Sequence, residues 1–158
     1  MTKAEIYKDV SDQIAAVNQG EPSRTARMAT ASCLLSHAFD NYFWTGFYVV
    51  DPNKPTELVV GPYQGTLGCL RIPFERGVCG ACAMQKQTII VEDVHAFPGH
   101  IACDSQTNSE IVVPVFDETG ELFAVLDVDS VSKSSFDEHD KKGLETIAKT
   151  LLLGATQA

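Results

Sequence analysis

The chain has 158 residues, enough for one domain that buries most of its unfolded surface without help from a disulfide or a metal. Hydrophobic residues make up 44% and charged residues 21%, the balance of an ordinary globular protein. A net charge of −9 and a pI of about 4.7 repel phosphate backbones and anionic lipid, so neither nucleic acid nor a membrane surface is expected as a partner. No apolar run approaches the ~18 residues of a membrane span. The start, MTKAEIYKDVSDQ, alternates charges and lacks the apolar core of a secretory signal. The expected compartment is the cytoplasm, where thiols are kept reduced. Five cysteines are more than packing alone requires, and an odd number argues against a static disulfide framework.

Residues 3–18 carry Ile6, Val10, Ile14 and Val17 at helical spacing. QGEPS breaks the pattern, and residues 24–39 form a second helix with Ala26, Ala29, Cys33 and Leu34 towards a core. Cys33 reads there as a small buried hydrophobe, and the small-residue face of this helix would suit a homodimer. YFWTGFYVV (Tyr42 to Val50) is dense in aromatic and β-branched residues and reads as a strand. DPNKP is a turn, ELVVGPY a second strand and CLRIPF a short third. ERGVCGACAMQKQ reads as a short helix and TIIVEDV as another strand. Residues 94–108 show no periodicity, and a run of that length inside a compact domain is usually functional or disordered. SEIVVPVF and ELFAVLDVDS are strands joined by the turn DETG. A closing helix follows, with Ser135 and Glu138 as its capping box and Leu144, Ile147, Ala148, Leu151 and Leu152 as its buried stripe.

This order predicts a single α+β domain over residues 1–158. A mainly antiparallel sheet carries the terminal helices on one face and leaves the other face for a ligand under the middle loops.

Strand alternation places Leu122, Ala124, Leu126 and Val128 on one face and Phe123, Val125, Asp127 and Asp129 on the other. Two carboxylates ~7 Å apart on an apolar strand are costly unless compensated. A bound cation or a retained proton would do so; alternatively Asp129 opens the exposed loop and Asp127 bonds to backbone. On the aromatic strand Tyr42, Trp44, Gly46, Tyr48 and Val50 share a face, and Trp44 and Tyr48 flank a notch at Gly46, unless they are simply core. An aromatic wall of this kind holds a sulfoxide methyl or an ammonium.

Cys79-Gly-Ala-Cys82 has CxxC spacing, but Cys69 and Cys103 are isolated, so no zinc site is expected. The βαβ context of a thioredoxin-type CxxC is missing as well. Cys82 lies at helical spacing from Val78 and reads as buried. Cys69, Cys79 and Cys103 lie in or beside Gly-rich or polar segments. Cys79 falls at a helix N-terminus, where a thiolate is favoured.

WTGFY, VVGPYQGTLGCLRIPFERGVCGACA, QTIIVEDVHAFPGHIACDSQTNSEIVVPV, LDVDS and FDEHD closely resemble the free methionine-(R)-sulfoxide reductases, stand-alone GAF-domain enzymes. The resemblance runs from about Trp44 to Asp140. It implies reduction of the R epimer of free methionine sulfoxide. Cys103 is then the nucleophile, Cys69 the main resolving thiol and Cys79 the family's third cysteine. Glu110, Asp127 and Asp129 become the active-site acids, and Trp44 and Tyr48 the aromatic wall. Cys33 and Cys82 match no catalytic position.

Each part has a physical purpose. A thiolate attacking a sulfoxide sulfur must displace the oxygen, which leaves far more readily once protonated. Mutual repulsion among three acids raises at least one pKa so that a proton is available. An ionised partner binds the substrate ammonium. Backbone donors or a basic group, with Arg71 one candidate, take the carboxylate. The resulting sulfenic acid on Cys103 condenses with Cys69, and an external dithiol, thioredoxin, restores both thiols. No metal or other cofactor is implied. The competing expectation is a non-enzymatic GAF module that senses a small ligand or redox state. SFDEHD echoes the cyclic-nucleotide signature of such modules but lacks its Asn and Lys.

Overall fold

Alternating apolar strands joined by tight turns build one antiparallel sheet of six strands. The structure is a computed structural model and describes residues 1–100 and 103–158. In chain order the elements are α1 (Lys3–Asn18), α2 (Arg24–Ala38), β1 (Trp44–Asp51), β2 (Lys54–Gln64), β3 (Arg71–Pro73), α3 (Gly77–Gln85), β4 (Ile89–Val91), a 3₁₀ turn (Val94–Ala96), β5 (Ser109–Phe116), β6 (Leu122–Ser130) and α4 (Glu138–Leu151). Strand order is β3-β2-β1-β6-β5-β4, and every pairing is antiparallel. The expected α+β architecture is therefore present. The 3₁₀ turn occupies the start of the segment expected to be structureless, and residues 101 and 102 of that segment lie outside the described residues.

One sheet face carries Phe47, Ile111, Val113, Val115, Ala124, Leu126 and Val128. Tyr7, Val10 and Ile14 of α1, Met28, Ala31 and Leu35 of α2, and Leu144, Ile147, Ala148 and Leu151 of α4 close over it. The other face is not open. Val78, Cys79, Cys82 and Ala83 of α3 pack there against Trp44, Tyr48, Leu58, Ile72, Val112 and Val125 in a second core. The polar site lies at the edge of that second core.

Several expectations change in detail. α2 turns Met28, Ala31 and Leu35 inward, and Ala26, Ala29 and Cys33 face solvent. The cause is Arg27, buried beside Met28, whose guanidinium donates to the carbonyls of Leu151 and Leu153 at 3.1 and 2.6 Å and so fixes the helix rotation. On α1, Tyr7 and Asn18 take the inward places and Val17 is exposed, because the stripe runs 7, 10, 14, 18. Tyr42 lies ahead of β1 and joins the helix-side core, stacked on Phe39 at 4.6 Å. A register shift opposite Val115 and Phe116 inverts the start of β6, so Phe123 packs on the helix side and Leu122 on the other. The cap of α4 is Asp137 with Asp140, not Ser135 with Glu138. Asp137 accepts from the backbone N–H of His139 and of Asp140, which leaves Phe136 free to enter the core. Ser135 instead donates to Ser130 Oγ at 2.7 Å.

Candidate active site

Strand register assembles the acids. Glu110 of β5 lies directly opposite Asp129 of β6, and Asp127 pairs with Val112 two positions along. On the other side of β6, Trp44 pairs with Asp129 and Gly46 with Asp127. Three carboxyl groups from two neighbouring strands thus share a face with Trp44 and Tyr48 of β1. Cys79, in the first turn of α3, packs onto them, with its thiol 3.9 Å from Glu110 Oε2.

No cationic side chain from the described residues lines this cluster. Burial, and then mutual repulsion, push the pKa values of Glu110, Asp127 and Asp129 well above the ordinary carboxyl range. Oδ1 of Asp127 and Oδ1 of Asp129 are buried without a hydrogen-bond partner among the described residues. The acids are thus biased towards their protonated forms and two of their oxygens are unsatisfied, and a cationic ligand would relieve both. The donor atoms of Cys79, Glu110 and Asp127 lie within 4.8 Å of one another, close enough to share one cation. Cys79 does lie at a helix N-terminus, but its thiol is not activated. Burial, with Asp127 and Glu110 beside it, raises its pKa strongly. Cys82 is fully buried, as expected, and bonds to Val112 O at 3.6 Å.

The aromatic wall stands, with its notch filled. Trp44 and Tyr48 stack with ring centroids 5.5 Å apart, and Tyr63 stacks on Trp44 at 4.9 Å. A Cβ at Gly46 would lie 2.2 Å from the Cβ of Tyr63, so the space freed by the glycine belongs to that residue. Gly68 brings the next loop against the same rings. A Cβ there would sit 2.9 Å from Trp44 Cζ2 and 3.1 Å from Tyr48 Oη.

That loop delivers Cys69, which is disulfide-bonded to Cys103 with the two Cα atoms 5.4 Å apart. The two loops are also tied by Thr66 Oγ1, which donates to Asp104 Oδ2 at 2.6 Å, and Trp44 Nε1 donates to Thr66 O at 2.8 Å. Cys103 of this disulfide lines a cavity together with the three acids, Trp44, Tyr48, Val78, His100, Thr107 and, at its exposed edge, Leu67. The cavity holds about 40 Å³, room for about three waters.

Arg71 is not part of it. Its guanidinium pairs with Asp51 at 2.7 Å, on the strand face opposite to Ile72, which does line the cavity. Gly68, His100 and Thr107 were not singled out from sequence. A glycine just ahead of a loop cysteine is a usable signal for a close backbone approach, whereas His100 and Thr107 sit in an unpatterned loop that offers none.

A GAF domain family model matches residues 19–152. A Saccharomyces cerevisiae protein named free methionine-R-sulfoxide reductase is 38% identical over 96% of this chain and 86% of its own length. An Escherichia coli protein of the same name is 40% identical, covering 96% and 89%. The chain belongs to the free methionine-R-sulfoxide reductase family. Among solved structures, the Neisseria meningitidis free methionine-R-sulfoxide reductase in complex with its substrate superimposes with a TM-score of 0.91. That match is 45% identical and covers 98% of this chain and 90% of that one. The reductase from Staphylococcus aureus in its reduced form has a TM-score of 0.87 at 38% identity, covering 94% of each chain. The GAF fold of this family is thus the α+β architecture described above.

Proposed function

We propose that this chain reduces free L-methionine (R)-sulfoxide to L-methionine with its own thiols. The observation that carries the reading is the Cys69–Cys103 disulfide, whose Cys103 lines the same cavity as Glu110, Asp127 and Asp129. The similarity to enzymes of that name supports the choice of substrate.

Cys103 is the nucleophile. Its sulfur bonds to the sulfoxide sulfur as a raised-pKa acid of the Glu110, Asp127 and Asp129 cluster protonates the oxygen. Net transfer of the oxygen leaves methionine and a sulfenic acid on Cys103, so the substrate sulfur gains the two electrons that Cys103 loses. Cys69 then attacks Cys103, water departs, and the disulfide forms. An ionised acid of the cluster receives the substrate ammonium, and the stacked Trp44 and Tyr48 hold the methyl end. The N-terminus of α3 has no side-chain cap and borders the cavity; Gly77 N–H is taken by Gly99 O at 2.9 Å, so the N–H groups that follow it in the first turn are the ones that suit the carboxylate. Cys79, buried and protonated beside the acids, is the third thiol of the proposed catalytic set.

Thioredoxin is the proposed reductant, the cytoplasm the proposed compartment and residues 1–158 one functional unit. No helix among the described residues is long and apolar enough to cross a membrane. A homodimer through the exposed Ala26, Ala29 and Cys33 face of α2 is the proposed assembly.

The test follows loss of each epimer of free methionine sulfoxide with a dithiol present, in the wild type and in Cys103→Ser. The R epimer alone should be consumed, and only by the wild type. A ligand sensor would turn over neither epimer.

A further inference from the structure

We propose that Leu67 and Leu70, on either side of Cys69, form the surface on which a dithiol reductase seats to reopen the Cys69–Cys103 disulfide. The inference rests on the thiol cycle above and names where its reductant binds.

After Met1, these are the two most exposed large hydrophobic residues among those described, at 80% and 72%. Elsewhere Leu35, Leu58, Leu126 and Leu144 are completely buried. A pair of bare leucines within four residues is the kind of apolar surface that marks a contact site.

Their exposure is held in place by their surroundings. Gly68 between them is pressed against Trp44 and Tyr48, with no room there for a side chain. Thr66 O accepts from Trp44 Nε1, Leu70 O accepts from Val60 N at 2.9 Å, and Thr66 is tied to Asp104. The backbone on both sides of Cys69 is thus anchored inward, while Leu70 is left bare and Leu67, mostly exposed, borders the cavity beside the disulfide. A surface fixed in this way loses little freedom when a partner covers it.

The disulfide identifies the occupant. It is reopened when a partner thiolate attacks one sulfur, forming a mixed disulfide and expelling the other cysteine as a thiolate that takes up a proton. The partner's second thiolate then attacks the mixed disulfide. The partner leaves oxidised, and two electrons have passed to Cys69 and Cys103. The partner must therefore present an exposed dithiol on a surface that can abut two leucines. Residues 65–70 carry no charge in a chain of net charge −9, and the next residue, Arg71, is held by Asp51. The leucine contact itself is apolar, with Asp104, held by Thr66, as the acid beside it.

The test reads the disulfide directly, without methionine sulfoxide. The oxidised wild type, Leu70→Ser and Leu67→Ser/Leu70→Ser are mixed with reduced thioredoxin or with dithiothreitol, and the second-order rate of disulfide reduction is measured. Leu70→Ser should slow reduction by thioredoxin about fivefold and the double variant tenfold or more, the order expected for losing apolar anchors at a small transient interface. Reduction of Leu70→Ser by dithiothreitol should stay within about twofold of the wild type. Unchanged thioredoxin rates, or equal losses with both reductants, overturn the proposal. So does a fall in sedimentation mass of the variants, which would give the leucines to a second copy of this chain. Failure of the substrate reading shows separately, as no consumption of methionine (R)-sulfoxide by the wild type with either reductant.

Discussion

Glu110 and Asp129 face each other across β5 and β6, two acids in direct cross-strand register on an otherwise apolar face. Like charges so placed destabilise a sheet, and Asp127 adds a third carboxyl group from the same strand as Asp129. Burial and mutual repulsion raise the pKa values of all three, the direction an oxygen-protonating site requires.

This arrangement gives the ligand-free protein a pH dependence of definite sign. Well below the unfolded pKa values of about 4 the three carboxyls are protonated in both folded and unfolded chains. Above that, the unfolded chain releases its protons while the folded pKa values, raised by burial and repulsion, delay release. The folded state then binds more protons, so these groups subtract stability as pH rises towards their folded pKa values. Asp127→Asn removes part of that loss. Its melting temperature at neutral pH should exceed the wild type's by about 2–4 °C per kcal/mol relieved, with a smaller gap near pH 4.

The same substitution costs activity. Asp127 is proposed to serve the ammonium or the sulfoxide oxygen, and losing a buried charge partner typically costs about 100-fold. Steady-state kinetics of Asp127→Asn should show a raised KM, a lowered kcat, or both. Wild-type values for both would remove the acid from its role.

In the oxidised protein Cys103 is spent in the disulfide and its side chain lines the same cavity as the acids. Productive substrate binding is therefore expected only after the disulfide opens. Calorimetry should detect binding of methionine (R)-sulfoxide to Cys103→Ser and none to the oxidised wild type. Equal affinity in the two would contradict the geometry.

Thiol accessibility distinguishes the five cysteines. In the oxidised protein Cys33 is exposed and free, Cys79 and Cys82 are buried and free, and Cys69 and Cys103 are paired. A thiol reagent should titrate one cysteine rapidly in the native oxidised protein and three after unfolding without reductant. Rapid labelling of Cys79 would show it ready for exchange.

Gly68→Ala places a methyl group against Trp44 and Tyr48 and pushes the Cys69 loop outward. A displacement of that kind near reacting groups lowers kcat/KM by roughly 10–100-fold. Assay with free methionine (R)-sulfoxide and dithiothreitol checks it, and an unaltered value would mean the loop adapts.

Most of the architecture was legible because it rests on periodicity. The LFAVLDVDS alternation put Asp127 and Asp129 on one face, and the α4 stripe of Leu144, Ile147, Ala148 and Leu151 is the observed one. What escaped depended on partners distant in sequence. The rotation of α2, and with it the exposure of Cys33, follows from Arg27 reaching carbonyls at and just beyond the C-terminus of α4. The flip at Leu122 and Phe123 follows from a register shift that alternation cannot register. Two capping frames overlap at residues 135–140, and the choice between them depends on where Phe136 packs. The Cys69 and Cys103 pairing spans 34 residues of chain, and only family resemblance pointed to it.

The most direct test of the central claim is mass spectrometry of the reduced protein after one equivalent of free methionine (R)-sulfoxide. One methionine should be released per subunit as the protein loses two hydrogens at a Cys69–Cys103 disulfide. In Cys69→Ser, Cys103 should instead gain one oxygen, and that variant should stall after about one turnover with thioredoxin. Methionine released with Cys103 unmodified, or oxidation found on Cys79 instead, would contradict the account.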